Sequence, residues 1–377
     1  MHVGYTPEQE KLRASLREYF AALMTPELRA GLDSGGGEYG DGAAYRQVVR
    51  RLGRDGWLAI EGRSRLEQLI FADEAALAGV PVPFLTLYTV GPTIARHGSP
   101  ALRASLLPRI EAGEAHFAIG YSEPEAGTDL AALRTTAVRD GDSYVINGQK
   151  MWTSLIQYAD YIWLACRTSP SLSRHRGLSI LVVPTSAAGF SWTPVHTVAG
   201  PSTSATYYSD VRVPVSALVG EENQGWRLIT DQLNHERVAL TSAAPLQRAL
   251  REVRDWAAGT GALDQEWVRL HLARVHAKTE VLKLFNWRAC VTDGTPAATR
   301  ASAGKVYGTE LAIEAYRLLM EVIGPAATIR TGSPGAVLAG RIERMYRSSL
   351  ILTFGGGTNE VQRDIIAAAG LNLPVKR

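Results

Sequence analysis

Three stretches carry residue types whose spacing could do chemistry. The first is Leu233-Asn234-His235-Glu236-Arg237. At about 100° per residue on a helix, Trp226, Ile229, Leu233 and Leu240 fall in one narrow apolar sector, with Glu236 and Arg237 on its two borders. Asn234 and His235 take the opposite face, as solvated residues do. Charges beside a buried stripe are costly unless paired or put to use, so spacing leaves two readings. One is a buried structural Glu–Arg pair, the other a carboxylate base with an arginine to orient its surroundings.

The second stretch runs Ile119-Gly120-Tyr121-Ser122-Glu123-Pro124-Glu125-Ala126-Gly127-Thr128-Asp129 and returns as Asn147-Gly148-Gln149-Lys150-Met151-Trp152-Thr153-Ser154. Pro124 and Gly127 punctuate an ordered loop, Asn147-Gly148 predicts a hairpin turn, and Trp152 arrives with two hydroxyls behind it. This is either a β-hairpin with polar loops or a set of neutral donors and a flat wall for a planar heterocycle. The third stretch is Phe354-Gly355-Gly356-Gly357-Thr358-Asn359-Glu360. Its glycines followed by Thr358 predict a turn that caps a helix, whose free backbone N–H groups suit an anion such as a pyrophosphate. A plain helix start is the alternative.

The elements that must position these groups follow from periodicity. Thr6-Pro7-Glu8-Gln9 is a capping box with proline in the first helical position, followed by Leu12, Leu16, Phe20 and Leu23 at helical spacing. After the glycines at 35–37, Tyr45, Val48, Val49 and Leu52 predict a second helix, and Leu66, Leu69, Ile70, Glu74 and Leu77 a third. Another helical piece is expected around Val90 to His97. From Phe117 to Val219 the segments become short, β-branched and turn-punctuated, which predicts a small antiparallel β domain, a sandwich or barrel. Beyond Gly225 long helical patterns return, broken at Thr260-Gly261, Asp293-Gly294 and Gly332 to Gly335. The expected division is a helical domain over residues 1–116, a β domain over 117–220 and a helical, four-helix-bundle-like domain over 221–377, an α+β multidomain chain.

Composition narrows the function classes. The chain has 377 residues, 46% hydrophobic and 20% charged, enough to bury two or three domain cores. A net charge of +3, spread along the chain, points to no nucleic-acid or membrane-surface partner. The chain has no apolar run of the ~20 residues a membrane helix needs and no signal pattern, so the cytoplasm is the expected compartment. The two cysteines, Cys166 and Cys290, support neither a disulfide framework nor a thiolate metal site. His271 and His276 are five apart, which does not put two ligands on one helix face, so no metal is expected. No dinucleotide glycine motif or Walker sequence is present, so neither NAD nor ATP is expected as the primary cofactor.

The second stretch resembles the flavin-binding segment of the acyl-CoA dehydrogenase family, which reads Thr/Ser-Glu-Pro-x-Ala-Gly-Ser/Thr-Asp, then Asn-Gly-x-Lys-x-Trp and a hydroxyl residue. The likeness covers almost the whole chain and implies a helical–β–helical fold with FAD where the three regions meet. It implies Ile119, Ser122, Gly127, Thr128, Trp152 and Ser154 as cofactor-binding residues, with Ser122 and Ser154 at the isoalloxazine ring and Thr128 nearer the phosphates. Thr358 and Glu360 match family positions that touch the cofactor. Most family members carry their base where Gly356 stands here, so the usual carboxylate is absent, although a backbone N–H near Gly356 could still help hold the thioester oxygen. The helix-borne Asn-x-Glu-Arg segment matches members that take their base from this helix, which assigns the base to Glu236 and an orienting role to Arg237.

Three departures refine the resemblance. The passage Gly56 to Arg63 lacks a longer loop usual in the family. Two segments that family homotetramers lend to a neighbour's flavin are altered, to Asp255-Trp256-Ala257-Ala258-Gly259 and Glu321-Val322-Ile323-Gly324-Pro325. This resembles the glutamate-bearing subunit of actinobacterial heteromeric enzymes acting on steroid side-chain CoA thioesters. The implied partners are an acyl-CoA substrate, a second acyl-CoA dehydrogenase-like subunit in an α2β2 heterotetramer, and an electron-transfer flavoprotein as acceptor. The alternatives are a non-catalytic structural subunit and a flavin oxidase or monooxygenase on the same fold.

Overall fold

The structure, a computed structural model, describes residues 4–33, 39, 42–169, 171–172, 174–198, 200, 203–239, 241–290 and 297–374, and of residues 233–239 only the backbone. The expected breaks at 35–37 and Asp293-Gly294 lie outside the described residues. The chain opens with helices α1 (Pro7–Leu23), α2 (Pro26–Asp33), α3 (Ala43–Arg54), α4 (Arg65–Ala78), α5 (Gly91–His97) and α6 (Pro100–Glu111). Thr6 accepts from the Gln9 amide while the Gln9 side chain accepts from the Thr6 amide, so the expected capping box starts α1. Ser64 and Glu67 start α4 in the same way. Leu16, Phe20, Val48, Val49, Leu52 and Ile70 interdigitate in the core of this region.

The middle region contains β1 (Phe117–Gly120), β2 (Thr136–Asp140), β3 (Ser143–Lys150), β4 (Tyr161–Arg167), β5 (Leu178–Pro184), β6 (Phe190–Val195), β7 (Thr203–Pro214) and β8 (Leu218–Val219). They form one sheet in the order β6-β7-β3-β2-β4-β5-β8, with β1 also paired to β4. The expected antiparallel pairing holds along most of it, whereas β1 and β2 pair with β4 in parallel. Asp140–Ser143 closes the β2–β3 hairpin. Asn147-Gly148 is not a hairpin turn: it lies inside β3 as a bulge, where the β3–β7 register shifts between Ile146 and Gly148. Tertiary contacts override the local turn preference. Asn147 exchanges two hydrogen bonds with Asp210, and Gly148 lies so close to Thr135 that a Cβ would stand 2.7 Å from the Thr135 Cα.

The C-terminal helices are α7 (Gly225–Ala239), α8 (Ala244–Gly259), α9 (Glu266–Cys290), α10 (Ala297–Ile323), α11 (Arg341–Ser349) and α12 (Asn359–Ile365). α10 is the hub, packing against α7, α8, α9, α11 and α12. α4 packs on α8 and α9, and the Ser242 hydroxyl donates to Asp73 at 2.6 Å, so the two helical regions are tied together.

Two carboxylates respond to their surroundings in opposite directions. Burial acts to raise the Glu123 carboxyl, but Lys150, the Thr135 hydroxyl and the Arg134 amide outweigh it, and its pKa falls below the ordinary value. Burial dominates at Asp73, outweighs the Ser242 bond and pushes that carboxyl up to about 6. The Glu123 contribution to stability is therefore complete above its ordinary pKa and lost as pH falls through its lowered one. The Asp73 contribution is present at low pH and lost as pH rises through about 6. Asp73→Asn, which keeps an acceptor for Ser242, should gain melting temperature relative to wild type between pH 4 and pH 7; parallel melting curves would contradict this. Lys150→Met strands the Glu123 carboxylate and should cost about 3–5 kcal/mol in urea unfolding, most of it recovered in Lys150→Met/Glu123→Leu.

Candidate functional site

The polar strap between β1 and β2 is built on the Glu123–Lys150 pair. Lys150 is fully buried, and its Nζ donates to Glu123 and to the Tyr121 carbonyl, both at 2.9 Å. The other Glu123 partners are the Arg134 amide at 2.7 Å and the Thr135 amide and hydroxyl at 2.8 and 2.6 Å. One carboxylate thus fixes the loop that contains Ser122 to the end of β3. The Met151 amide then donates to the Ser122 carbonyl at 2.8 Å, which sets Trp152 beside Ser122.

Trp152 adopts a left-handed φ of 65°, uncommon for an aromatic residue, and its indole is 52% exposed. Thr153, fully buried, anchors the turn by donating its amide to the Ser204 carbonyl, and Ser154 shares a 3.1 Å hydrogen bond with Thr203. The Ser122 and Thr128 hydroxyls make no hydrogen bond among the described residues. Ser122, Trp152 and Ser154 are therefore brought together, with half-buried Ile119 on β1 below them and exposed Gly127 and Thr128 farther along the same loop. An open aromatic face beside the uncommitted Ser122 hydroxyl and the Ser154 hydroxyl shared with Thr203 is a donor set that fits the face and edge of a planar heterocycle.

Gly356, Thr358 and Glu360 form a second group on the C-terminal side. Thr358 caps α12 by accepting from the Val361 amide, and Glu360 in the first turn is exposed. Hydrogen bonding at this helix start lowers the Glu360 pKa. The buried Lys305 ammonium donates to the carbonyls of Thr353 and Gly357 and to Asn359, which fixes the glycine turn against α10. Gly356 has φ 69° and Gly357 φ 88°, a conformation that disfavours any side chain. Thr358 and Glu360 make no hydrogen bond or ion pair to the Trp152 strap among the described residues.

A cavity of about 710 Å³ opens at the junction of the two helical regions, within the ~300–1,000 Å³ range of ligand pockets. Its walls come from the Ala59–Arg65 loop, from α4 through Gln68, Leu69 and Ala72, from the segment carrying Leu87, Tyr88, Pro92 and Arg96, and from Ala297 and Ala301 of α10. Arg63 donates to the Trp57 and Gly56 carbonyls and lies over the Trp57 and Phe71 rings, so the short loop is a folded wall. Burial holds the Tyr88 phenol well above its ordinary pKa and pushes the Cys290 thiol up to about 11, so both line the cavity in neutral form.

Asp231 and Ser242 both face this cavity, and the end of α7 runs between them. Position 236 lies on that span; the side chains of Glu236 and Arg237 lie outside the described residues. The described part of α7 buries Leu228, Ile229 and Gln232, whereas Trp226 is half-buried under the His175 ring. Sequence reasoning missed Gln232, Asp73 and Ser242. Their only signal was a polar residue one helical turn before Glu236 and an acid beside the helix-facing Glu74.

The comparisons with known proteins agree with this architecture. Residues 6–114, 118–211 and 223–371 match the models of the N-terminal, middle and C-terminal domains of acyl-CoA dehydrogenases. The chain is 64% identical over 396 aligned positions to the acyl-CoA dehydrogenase FadE26 of Mycobacterium tuberculosis, covering 99% of each. That alignment is longer than the 377-residue chain, so the relative holds residues with no counterpart here. The crystal structure of the ChsE4–ChsE5 complex from Mycobacterium tuberculosis superimposes with a TM-score of 0.92 at 63% identity, covering 100% of both chains. The Tcur3481–Tcur3483 steroid ACAD gives a TM-score of 0.92 at 47% identity over 100% of both chains. With three consecutive domain matches and full-length relatives at this identity, the chain belongs to the acyl-CoA dehydrogenase family and is an oxidoreductase closely related to steroid acyl-CoA dehydrogenase subunits.

Proposed function

We propose that this chain is the base-bearing subunit of a heteromeric FAD-dependent dehydrogenase that converts a steroid side-chain acyl-CoA to its trans-2-enoyl thioester in the cytoplasm. The observation that carries the reading is the cavity lined by Asp231 of α7 and by Ser242 just beyond that helix, with position 236 between them in the chain. Its volume suits a bulky acyl group, and the relatives whose names refer to a steroid enzyme or a two-chain complex supply the substrate class and the partner.

In this reading Glu236 removes the proton from the thioester Cα, and Arg237 orients the local charge. FAD, when bound, supplies the hydride acceptor for Cβ. Ser122 and Ser154 would hold the edge of its ring and Trp152 its face, Thr128 would lie toward its phosphates, and Thr358 and Glu360 would touch this flavin or one bound by the partner. A backbone N–H near Gly356 helps hold the thioester oxygen, a contact that needs no side chain. An electron-transfer flavoprotein would be the electron acceptor. The altered lending segments favour a second acyl-CoA dehydrogenase-like chain in an α2β2 assembly. Trp256 is committed to the C-terminal core, and the Glu321 carboxylate is engaged by His271 and Arg317.

Glu236→Gln in the assembled enzyme should lower kcat by at least about 100-fold while leaving flavin absorbance unchanged, the loss expected on removing a general base. Turnover near wild type would contradict the assignment. Purified with a second acyl-CoA dehydrogenase-like chain, the protein should elute as a 1:1 assembly with stoichiometric flavin. A yellow, active homo-oligomer of this chain alone would sink the heteromer.

A further inference from the structure

One buried polar network joins all three regions of the chain, and Gln232 is its centre. Gln232 is 2% exposed. Its Oε1 accepts from the Tyr121 hydroxyl and from Trp163 Nε1 at 3.2 Å, and its Nε2 donates to Thr93 Oγ1 at 3.3 Å. Thr93 passes its own proton on to the Thr89 carbonyl at 2.7 Å. Trp163 Nε1, which can only donate, also lies 3.2 Å from the Tyr121 hydroxyl, and Gln232 Oε1 turned toward both avoids setting the amide N–H against the indole N–H. The network thus locks α7 at once to α5, to β4 and to Tyr121, the residue before Ser122.

Position 236 stands one helical turn beyond 232, about 6 Å along the axis and about 40° around it. A 20° rotation of α7 would shift a side-chain root by roughly 1 Å, and a misplacement of that size can cost about 100-fold in rate. A leucine of similar volume would fill the site of Gln232 without fixing the rotation, because apolar packing is not directional.

We propose that Gln232 is a positioning residue for proton abstraction: its three hydrogen bonds set the rotation of α7 so that the carboxylate at 236 meets the substrate Cα on the Ser122 side of the site. The proposal rests on the reading of Glu236 as the base.

The test uses the co-expressed holoenzyme, a steroid side-chain acyl-CoA with hydrogen or deuterium at Cα, and a dye acceptor. Gln232→Leu should lower kcat about 10–100-fold with KM within about twofold, flavin content unchanged and a larger Cα isotope effect. Gln232→Glu, whose protonated carboxyl reproduces the acceptor and the donor, should come closest to the wild-type kcat at low pH and fall further below it as pH rises, with the two enzymes compared at each pH because protonation of Glu236 slows both at the acid end. Tyr121→Phe, which removes one arm from the opposite side, should move kcat and the isotope effect in the same direction by a smaller factor and serves if Gln232→Leu does not fold. Wild-type kcat and isotope effect in Gln232→Leu, or a change confined to KM or flavin content, alongside an inactive Glu236→Gln, would overturn this inference alone. An active Glu236→Gln would overturn the base assignment and this inference with it.

Discussion

The site depends on one buried charge pair. Glu123 and Lys150 come from separate parts of the middle region, and each is buried with the other as its charged partner. A lone charge there would cost several kcal/mol, so the loop before β2 and the end of β3 are held in one arrangement. The surplus acceptor capacity of the carboxylate is taken by Arg134 and Thr135, and the surplus donor capacity of the ammonium by the Tyr121 carbonyl. What this clamp leaves outside is the surface proposed to hold the flavin: the Ser122 hydroxyl, the Trp152 indole on its left-handed backbone, and Ser154.

From that clamp the architecture reaches outward through shared residues. Tyr121 has its carbonyl on Lys150 and its hydroxyl on Gln232, so the Ser122–Trp152 strap and α7 share one residue. Beyond the far end of α7, Ser242 is tied to Asp73 of α4. The helix that carries position 236 is therefore held before and after that position, with the cavity alongside. A chain whose C-terminal turn has glycine at 356 can then place its carboxylate on a different element without altering the fold.

Much of this was legible where the cause is local. The capping box at Thr6, the change to short β-branched segments after His116 and the Thr358 cap are each decided by residues a few positions apart. The Asn147-Gly148 turn was misjudged because the cause is distant: Asp210 and Thr135 hold those residues in a strand. Gln232 was invisible for the same reason, since its partners lie 69, 111 and 139 positions away. Periodicity places position 232 beyond the Glu236 border of the apolar stripe and cannot say that three donors and acceptors wait there. The motif residues Ser122, Trp152 and Ser154 were legible as a resemblance, and the structure adds the ion pair that gathers them.

The central claim is that the proton-abstracting carboxylate of this enzyme comes from α7 of this chain. It is tested most directly by an experimental structure of the assembled, flavin-loaded complex with a non-reactive thioester analogue of the substrate. The account predicts the Glu236 carboxylate within about 3–3.5 Å of the analogue Cα, on the side opposite the flavin ring. A carboxylate from the second subunit in that position, with Glu236 turned away from the cavity, would contradict it.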